Sequence, residues 1–336
     1  MLIPEEQRTG LPTELQRAAG IPLHPGLYSE ARQRGVHLSG YLEELDPSGA
    51  ESALDAFERQ LALAGIKVSG PESSIIDRFF ATQESAVLFP EFVGRSVRIG
   101  KDDFAKLGKI IANRTRVDDN TYKAIYMDDS VLADSDKRLA KVAEGAALPK
   151  IELETAEHSI QLYKYGRYLE ATYEAIRRKR ANVIAYFLRA VGVQIQRDKF
   201  ADAIGVLING DGNNNAASVV ETATSGTLTY TDLVKFKLSL DPYEMNVLVI
   251  SQEMAKTILG LNEFKEPLVA EQFQKSGEMI RLFGAEILVD NSVADDLIVG
   301  LDRRFALEEV YETEVMTESE RLIRQQIEGT AISEVA

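Results

Sequence analysis

The longest regular pattern of apolar and polar residues lies in residues 181–208. Apolar side chains recur there every three or four positions, so they fall on roughly one face of a helix. The residues of this face are Ile184, Phe187, Leu188, Val191, Ile195, Ile204 and Leu207. At a rise of 1.5 Å per residue the helix would be about 42 Å long, which is long for a globular domain. The pattern predicts one dominant helix with a packing face.

The chain before this helix has a different pattern. Residues 51–65 show helical spacing and stop at Gly65, a residue suited to the end of a helix. From residue 78 to residue 174 most apolar residues fall in short alternating runs separated by charged residues, Pro or Gly. This pattern favours strands, and residues 121–127 and 151–165 are the candidate strands of a long hairpin.

Two segments of the chain lack the composition of a core. Residues 127–150 hold few large apolar side chains and many charges, so they are expected to project toward a partner rather than fold alone. Residues 1–50 contain five of the ten prolines and six of the glycines. They predict an extended arm with short helical patches, which lies on something else rather than forming part of the core.

After the dominant helix, helices alternate with short apolar strands. A small, polar stretch at residues 213–230 leads into this part of the chain. Helices are predicted at residues 231–240 and 251–260, and strands at residues 246–250, 285–290 and 296–301. Such alternation indicates an α/β or α+β layer domain. The tail from residue 304 alternates again, which predicts strands that rejoin the first part of the fold.

Composition narrows the class of protein. A chain of 336 residues with 45% hydrophobic residues is long enough for two packed units. The net charge of −15 disfavours broad contact with nucleic acid, because phosphate binding depends on Lys and Arg. The absence of cysteine excludes disulfides, thiolate nucleophiles and Cys-ligated metals. Neither a signal peptide nor a membrane span is predicted, so synthesis in the cytoplasm without membrane contact is expected.

The glycine-rich stretch LINGDG, residues 207–212, matches no ligand-binding motif. A phosphate-binding loop follows a strand and opens a helix, whereas this stretch follows a predicted helix. Asn215 stands where a dinucleotide-binding loop has its third glycine. Ala216 and Thr222 stand where a calcium loop needs its glycine and its glutamate. The end of a helix is the better interpretation of these residues.

Other candidate groups also favour a structural interpretation. The three histidines, His24, His37 and His158, are far apart in sequence and lie in no metal-binding motif. The adjacent acid pairs fall in predicted loops, where solvated charge is expected; they are Asp118–Asp119, Asp128–Asp129 and Asp295–Asp296. The basic run at residues 177–180 is expected to pair with acidic neighbours rather than with nucleic acid. We therefore expect no enzyme, no metal and no cofactor.

The order of these parts resembles a known family. A charged N-terminal segment, a projecting hairpin closed by residues 144–176, a long helix ending in FADAIGVLINGDGN, a central α/β unit and a β-rich return are similar to the major capsid protein of tailed bacteriophages of the Hong Kong 97 type. The resemblance covers the chain from about residue 70 to its end. It implies an α+β fold with an N-arm, an extended hairpin called the E-loop, a peripheral (P) domain with a spine helix, and an axial (A) domain.

The resemblance implies the following division of the chain. The N-arm is residues 1–70, residues 71–103 lead into the P domain, the E-loop is 104–160, the P domain with its spine helix is 161–212, the A domain is 213–300, and P-domain strands fill 301–336. The implied assembly residues of the E-loop are Arg114, Arg116, Asp128, Asp129, Lys137, Arg138 and Lys141. The turn at the end of the spine helix is Asn209, Gly210, Asp211 and Gly212. The apolar face of the spine helix would pack on the P-domain sheet.

The function implied by the resemblance is that of a structural protein. Copies of the chain would form pentamers and hexamers of an icosahedral virion shell around phage double-stranded DNA, made and assembled in the cytoplasm of a bacterial host. The DNA would lie nearby without sequence-specific binding, and an acidic lining would repel it weakly. A scaffolding protein, a portal and a decoration protein are further candidate partners. The alternatives are an encapsulin-type nanocompartment shell and, more remotely, a soluble α+β enzyme that binds a ligand at residues 209–212.

Overall fold

The structure is a computed structural model that divides the chain into two compact units. It describes residues 13–50, 52–126, 142, 144–145, 154–155, 158–172, 175, 177–213, 215–265, 281–322, 324 and 326–336. The first unit takes residues up to 105 together with 165–197 and 314–334. The second unit takes residues 106–164, 198–313 and 335–336. The predicted mixture of helices and strands is observed.

The first unit begins with four short helices, α1 (Thr13–Ala18), α2 (Leu27–Gln33), α3 (Leu38–Leu45) and α4 (Ala56–Leu63). Asp55 and Glu58 form a reciprocal capping box that starts α4. After α4, Gly65 adopts a φ of +67°, the left-handed conformation that glycine adopts most readily. The prediction of a helix that stops at Gly65 is confirmed.

The prediction that residues 1–50 form an extended arm outside the core was wrong for the described residues from 13 onward. Leu38, Leu42 and Phe57 are almost fully buried and belong to the main hydrophobic cluster of the first unit. Within this layer the buried side chains of Arg59 and Asp46 form a salt bridge of 2.7 Å. The prolines and glycines occupy the connections, whereas the apolar residues of the short helices supply core contacts. The segment is therefore a helical layer of its own subunit.

A second difference from the prediction is α5, a helix of 21 residues from Gln83 to Asp103. The sequence pattern favoured strands there. The helix starts at a capping box between Thr82 and Ser85, and Pro90 lies inside it. Its β-branched residues, glycines and internal proline lower its helix propensity, but burial of its apolar face outweighs propensity. Phe89 and Phe92 pack with Phe79, their ring centroids lying 5.6 Å and 5.2 Å from that of Phe79.

The dominant helix is α6, 29 residues from Ala181 to Asn209, in agreement with the prediction. Within the first unit it crosses α5 at two glycines. A Cβ atom at Gly192 would lie 2.1 Å from the carbonyl oxygen of Val97, and one at Gly100 would lie 2.1 Å from that of Arg189. The backbones touch at this crossing, which only glycine permits. The first unit also contains a sheet in the order β11–β12–β6, formed by Thr313–Leu322, Ile327–Val335 and Lys164–Thr172.

The predicted hairpin is present in the second unit. Strand β2 (Thr121–Tyr122) pairs antiparallel with β5 (Ile160–Gln161), and β3 (Ile125–Tyr126) pairs antiparallel with β4 (Glu154–Thr155). At its base, β1 (Asn113–Arg116) pairs in parallel with β10 (Glu308–Tyr311). In the sequence, the strands β3 and β4 flank residues 127–150.

The predicted α/β region of the second unit is confirmed. Strands β7 (Val247–Ile250), β8 (Glu286–Val289) and β9 (Ile298–Leu301) form a sheet in the order β8–β7–β9. Helices α7 (Tyr230–Leu238) and α8 (Gln252–Leu259) contribute Leu233, Met254 and Ile258 to the cluster that buries one face of this sheet. The N-cap residues Thr229 and Ser251 fix the starts of the two helices.

Among the described helices, none combines the length and the apolar character that crossing a membrane requires.

Candidate assembly surfaces

The base of the hairpin is fixed by Glu309. Its carboxylate accepts a hydrogen bond of 2.9 Å from Nε of Arg114 on β1 and also pairs with Nζ of Lys199 on α6. The guanidinium of Arg114 lies 4.5 Å from the ring centroid of Tyr311. The Lys199 side chain is buried, so this pair is shielded from water and screened less by salt than a surface pair. Glu309 therefore ties the root of the hairpin to two other elements of the second unit.

The neighbouring Glu308 acts on the opposite side of β10, because successive strand residues point to opposite faces. Its carboxylate accepts hydrogen bonds from the Thr115 hydroxyl and, at 3.3 Å, from the Tyr122 hydroxyl. Burial and the negative charge of Glu308 raise the pKa of Tyr122, so the phenol remains a hydrogen-bond donor across the neutral range. The two glutamates together hold β1 and β2 in place.

The predicted E-loop residues are only partly described. Arg114 has the contacts given above, and Arg116 is exposed at the end of β1, opposite Tyr311 in the strand register. Five further predicted residues, Asp128, Asp129, Lys137, Arg138 and Lys141, lie outside the described residues. The structure thus places two of the seven predicted residues, both at the root of the hairpin, and their role in assembly stays a prediction.

Six of the seven residues of the predicted packing face of the spine helix are buried or partly buried. Leu188, Ile195 and Ile204 are buried, and Ile184, Val191 and Leu207 are partly buried. Phe187 differs from the prediction, because 62% of it is exposed, and its ring lies 6.0 Å from that of the equally exposed Tyr186. Phe187 is about 100° around the helix from Leu188, so a face drawn to include both is too wide. The helix is apolar on two sides.

The predicted turn at the end of the spine helix is a hydrogen-bonded corner. Gly210 and Gly212 have φ values of +77° and +94°, which are strained for other residues. The Gly210 amide donates to the Val206 carbonyl at 2.8 Å, closing the helix. Asp211 stabilises the turn that follows the helix. Its Oδ1 accepts hydrogen bonds from the backbone and side-chain amides of Asn213, each at 3.0 Å. The side chain of Asn209 donates to the Gly205 carbonyl and that of Asp211 accepts from Asn213, as expected for a structural turn.

The histidines and the basic run 177–180 were the other candidate functional groups, and they are either exposed or paired with nearby residues of the chain. His24 and His158 are exposed, and Nε2 of His37 lies 3.3 Å from a carboxylate oxygen of Glu314. Of the basic run 177–180, Arg177 lies 3.8 Å from Asp77, and Arg180 donates to the carbonyl oxygens of Pro71 and Ser73. Within the described part of the chain, no group of three or more acidic or histidine residues is arranged to hold a metal ion.

A comparison with protein families identifies the family of this chain. The profile of a family described as phage capsid protein matches residues 155–332, which is more than half of the chain and includes α6, the α/β region and most of the C-terminal strands. The chain belongs to this family. The predicted capsid family and the mixture of helices and strands in the predicted fold class are thereby confirmed. A phage capsid protein is a structural component of the virion shell.

Solved structures show distant likenesses to this capsid protein. The virus-like particle from Pyrococcus furiosus is 13% identical, with a TM-score of 0.44 over 73% of this chain and 92% of that chain. A structure from Microbacterium phage Oxtober96 is 10% identical, with a TM-score of 0.45 over 68% and 83% of the two chains. The SrpI encapsulin from Synechococcus elongatus is 11% identical, with a TM-score of 0.44 over 70% and 83%. No curated protein sequence matches the chain.

The sequence analysis of the capsid protein missed Glu308 and Glu309. The signal was present as two adjacent glutamates in an otherwise alternating strand, EEVY, which places one carboxylate on each side of β10. The partners of Glu309 are Arg114 and Lys199, and those of Glu308 are Thr115 and Tyr122. All four are distant from the glutamates in sequence. Because these contacts depend on the parallel pairing of β1 with β10, local pattern alone could not identify them.

Proposed function

We propose that this chain is the major capsid protein of a tailed phage of the Hong Kong 97 type, and that it self-assembles into an icosahedral shell around double-stranded DNA. The family match to residues 155–332 carries the proposal. The shell would be built from pentamers and hexamers of the chain. In this proposal the second unit's hairpin is the E-loop, the sheet β11–β12–β6 and α6 belong to the P domain, and the sheet β8–β7–β9 with its helices is the A domain.

The hairpin supports the proposal. Its strands are fixed at the root by Glu308 and Glu309, whereas the connecting residues 127–150 are rich in charge and poor in large apolar groups. Residues of this composition contribute little to the core of their own subunit. A firmly rooted hairpin with a polar connection is suited to contacts with neighbouring subunits, whose surfaces would supply the burial that the segment lacks. Symmetric repetition of such contacts closes an assembly.

The charge of the chain supports DNA as the content of the shell. A net charge of −15 produces weak repulsion of phosphate, so that densely packed DNA is enclosed without being bound in a sequence-specific way. A scaffolding protein, a portal and a decoration protein are the further partners that this proposal implies. Synthesis and assembly would take place in the cytoplasm of the bacterial host. The alternative content is a cargo enzyme, as in an encapsulin-type nanocompartment.

Electron microscopy of the purified protein tests the proposal. We expect shells of megadalton mass, or pentamers and hexamers that form shells as concentration rises, and analytical ultracentrifugation measures both. Shells isolated from the native source should protect double-stranded DNA from nuclease. A co-isolated enzyme in place of DNA would favour the nanocompartment. A chain that stays monomeric at every salt and protein concentration, with or without a scaffolding protein, would contradict self-assembly.

A further inference from the structure

The first turn of the spine helix α6 lies beside a group of basic residues. Residues 67–80 and 177–180 of the first unit contain six basic and two acidic side chains, although the whole chain has a net charge of −15. Arg78, Arg178 and Lys179 are exposed, and none of the three forms a salt bridge with another residue that the structure describes. We call these three residues the basic cluster. Because its charge is not neutralised within the described subunit, the basic cluster attracts a negatively charged partner.

The main chain beneath the basic cluster is held by hydrogen bonds between two segments that are distant in sequence. The Ile76 amide donates to the Lys179 carbonyl at 2.9 Å, and the Ala181 amide donates to the Ser74 carbonyl at 2.8 Å. These bonds place the three cations on one part of the surface. The backbone is therefore fixed before a partner binds, which lowers the entropic cost of binding.

The two other arginines of this region have contacts within the subunit. The Arg180 side chain donates to the carbonyl oxygens of Pro71 and Ser73 at 2.8 Å and 3.1 Å. The guanidinium of Arg177 lies 3.8 Å from the carboxylate of Asp77, the acidic residue beside the basic cluster. Arg177 thus offsets the charge of Asp77, and Arg180 fastens the loop that precedes it. The side chains of the basic cluster are the ones that extend into solvent.

The composition of this surface favours a nucleic acid over a protein as the partner. Among the large apolar side chains of residues 67–80, only Ile75 is exposed, and residues 177–180 contain no apolar side chain. Protein interfaces are centred on apolar and aromatic side chains, which this surface lacks. Phosphate groups of a nucleic acid are instead contacted by Arg and Lys with little apolar burial. Charge complementarity therefore favours a polyphosphate.

We propose that the basic cluster binds phosphate groups of the double-stranded DNA inside the shell. This inference rests on the proposed function and adds a point of attachment to it. The contact is independent of base sequence, since it involves only the sugar-phosphate backbone. One cluster contacts about three phosphates, so each copy binds weakly, but many copies along one DNA molecule hold it together. The acidic remainder of the chain repels DNA, and the basic clusters are the places where DNA touches the protein.

Binding of a fluorescently labelled DNA duplex to unassembled subunits tests the site. We expect the association constant, measured by anisotropy, to fall roughly 40-fold between about 50 and about 200 mM salt, as three phosphate contacts require. Arg178→Glu with Lys179→Glu should weaken binding and reduce the slope of log K against log salt by about 2. The matched control is Lys256→Glu with Arg303→Glu, an exposed lysine and an exposed arginine elsewhere in the chain, which should leave the slope unchanged.

Assembled shells test whether DNA covers the basic cluster. The chain has no cysteine, so Arg178→Cys supplies a unique thiol. We expect this thiol to react with a small maleimide much more slowly in DNA-filled shells than in shells assembled without DNA. Equal protection in both would show that a neighbouring protein surface covers the cluster, and equally rapid reaction would show that nothing covers it. Either result would refute the contact with DNA.

The DNA contact and the proposed self-assembly fail in different ways. Subunits that form normal shells but bind the duplex no better than the Arg178→Glu, Lys179→Glu variant would leave self-assembly intact and refute this site. Equal loss of binding in both double variants would also refute it, because net charge alone would then explain the affinity. Subunits that bind the duplex with the expected salt dependence but never form shells would contradict self-assembly and retain the basic cluster as a DNA-binding site. Melting temperatures of all variants should stay close to wild type, because every substituted side chain is exposed.

Discussion

At the scale of single residues, two neighbours on α6 have opposite surroundings. Leu188 is almost fully buried, with 1% of its surface exposed, whereas the adjacent Phe187 is largely exposed. Both are apolar, and both lie in rows of apolar residues at helical spacing. The sequence therefore supplies two candidate packing faces for one helix, and only the tertiary structure distinguishes them. A large aromatic side chain is not by itself evidence of a core position.

Substitution of these two residues should separate core packing from surface exposure. Leu188→Ala should lower the free energy of unfolding of the isolated subunit by about 2 to 5 kcal/mol, because it leaves a cavity among buried neighbours. Phe187→Ala, the matched control, should change it by less than about 0.5 kcal/mol. Chemical denaturation of unassembled subunits measures both. Equal effects would show that the buried and exposed faces of α6 have been interchanged.

At the scale of elements, the crossing of α5 and α6 depends on two glycines. Gly100 and Gly192 each bring one backbone against a carbonyl oxygen of the other helix, at distances that exclude any side chain. Close approach lets the flanking apolar residues of both helices join the same cluster. Glycine weakens each helix locally, but the packing gained across the crossing outweighs that local loss.

The crossing gives a prediction with an internal control. Gly192→Ala should destabilise the subunit by about 1 to 3 kcal/mol or more, because the new methyl group forces the two helices apart. Gly205→Ala, on the same helix and with open space where the new methyl group would lie, should stabilise by about 0.4 to 1 kcal/mol through its higher helix propensity. Thermal melts of the two variants should therefore shift in opposite directions. Stabilisation by both substitutions would mean that the helices do not touch at Gly192.

The elements also show what the sequence could and could not predict. The spine helix was predicted nearly to its ends, and the helices and strands of the α/β region were predicted because their caps and apolar runs are local signals. The helix α5 was mistaken for strands, because Pro90 and the glycines interrupt its pattern. The contacts of Glu308 and Glu309 required knowledge of which strands pair. Local signals thus gave most of the elements, whereas long-range contacts determined the hairpin root and the exposure of Phe187.

At the scale of the whole molecule, folding and assembly are assigned to different segments. Each unit has its own hydrophobic cluster, and the described parts of the hairpin strands lie outside both clusters. Helices α2, α3 and α4 contribute buried residues to the first cluster. They are therefore part of the core of their own subunit. The charged connection of the hairpin is the segment whose composition favours contact with another copy.

Replacing residues 127–148 with a short Gly/Ser linker should separate the two processes. We expect a soluble, folded subunit with a melting temperature close to wild type that no longer closes shells, because the linker removes the proposed intermolecular segment and leaves the paired strands. Circular dichroism measures folding, and electron microscopy measures assembly. The control is an insertion of the same linker at the exposed Gly226, which should assemble. Intact shells from the replacement variant, or an unfolded subunit, would each contradict this division.

The parallel pairing of β1 with β10 has a mechanical consequence. A pull on the hairpin tip along its axis loads both strands in the same direction, so it does not peel apart the antiparallel pairs β3–β4 and β2–β5. The pull then reaches β1, which slides along β10, so that its four paired positions resist together in shear. Glu309 passes part of this load to α6 through Lys199. In a shell under internal pressure, tension carried by the hairpins would therefore be resisted at their root.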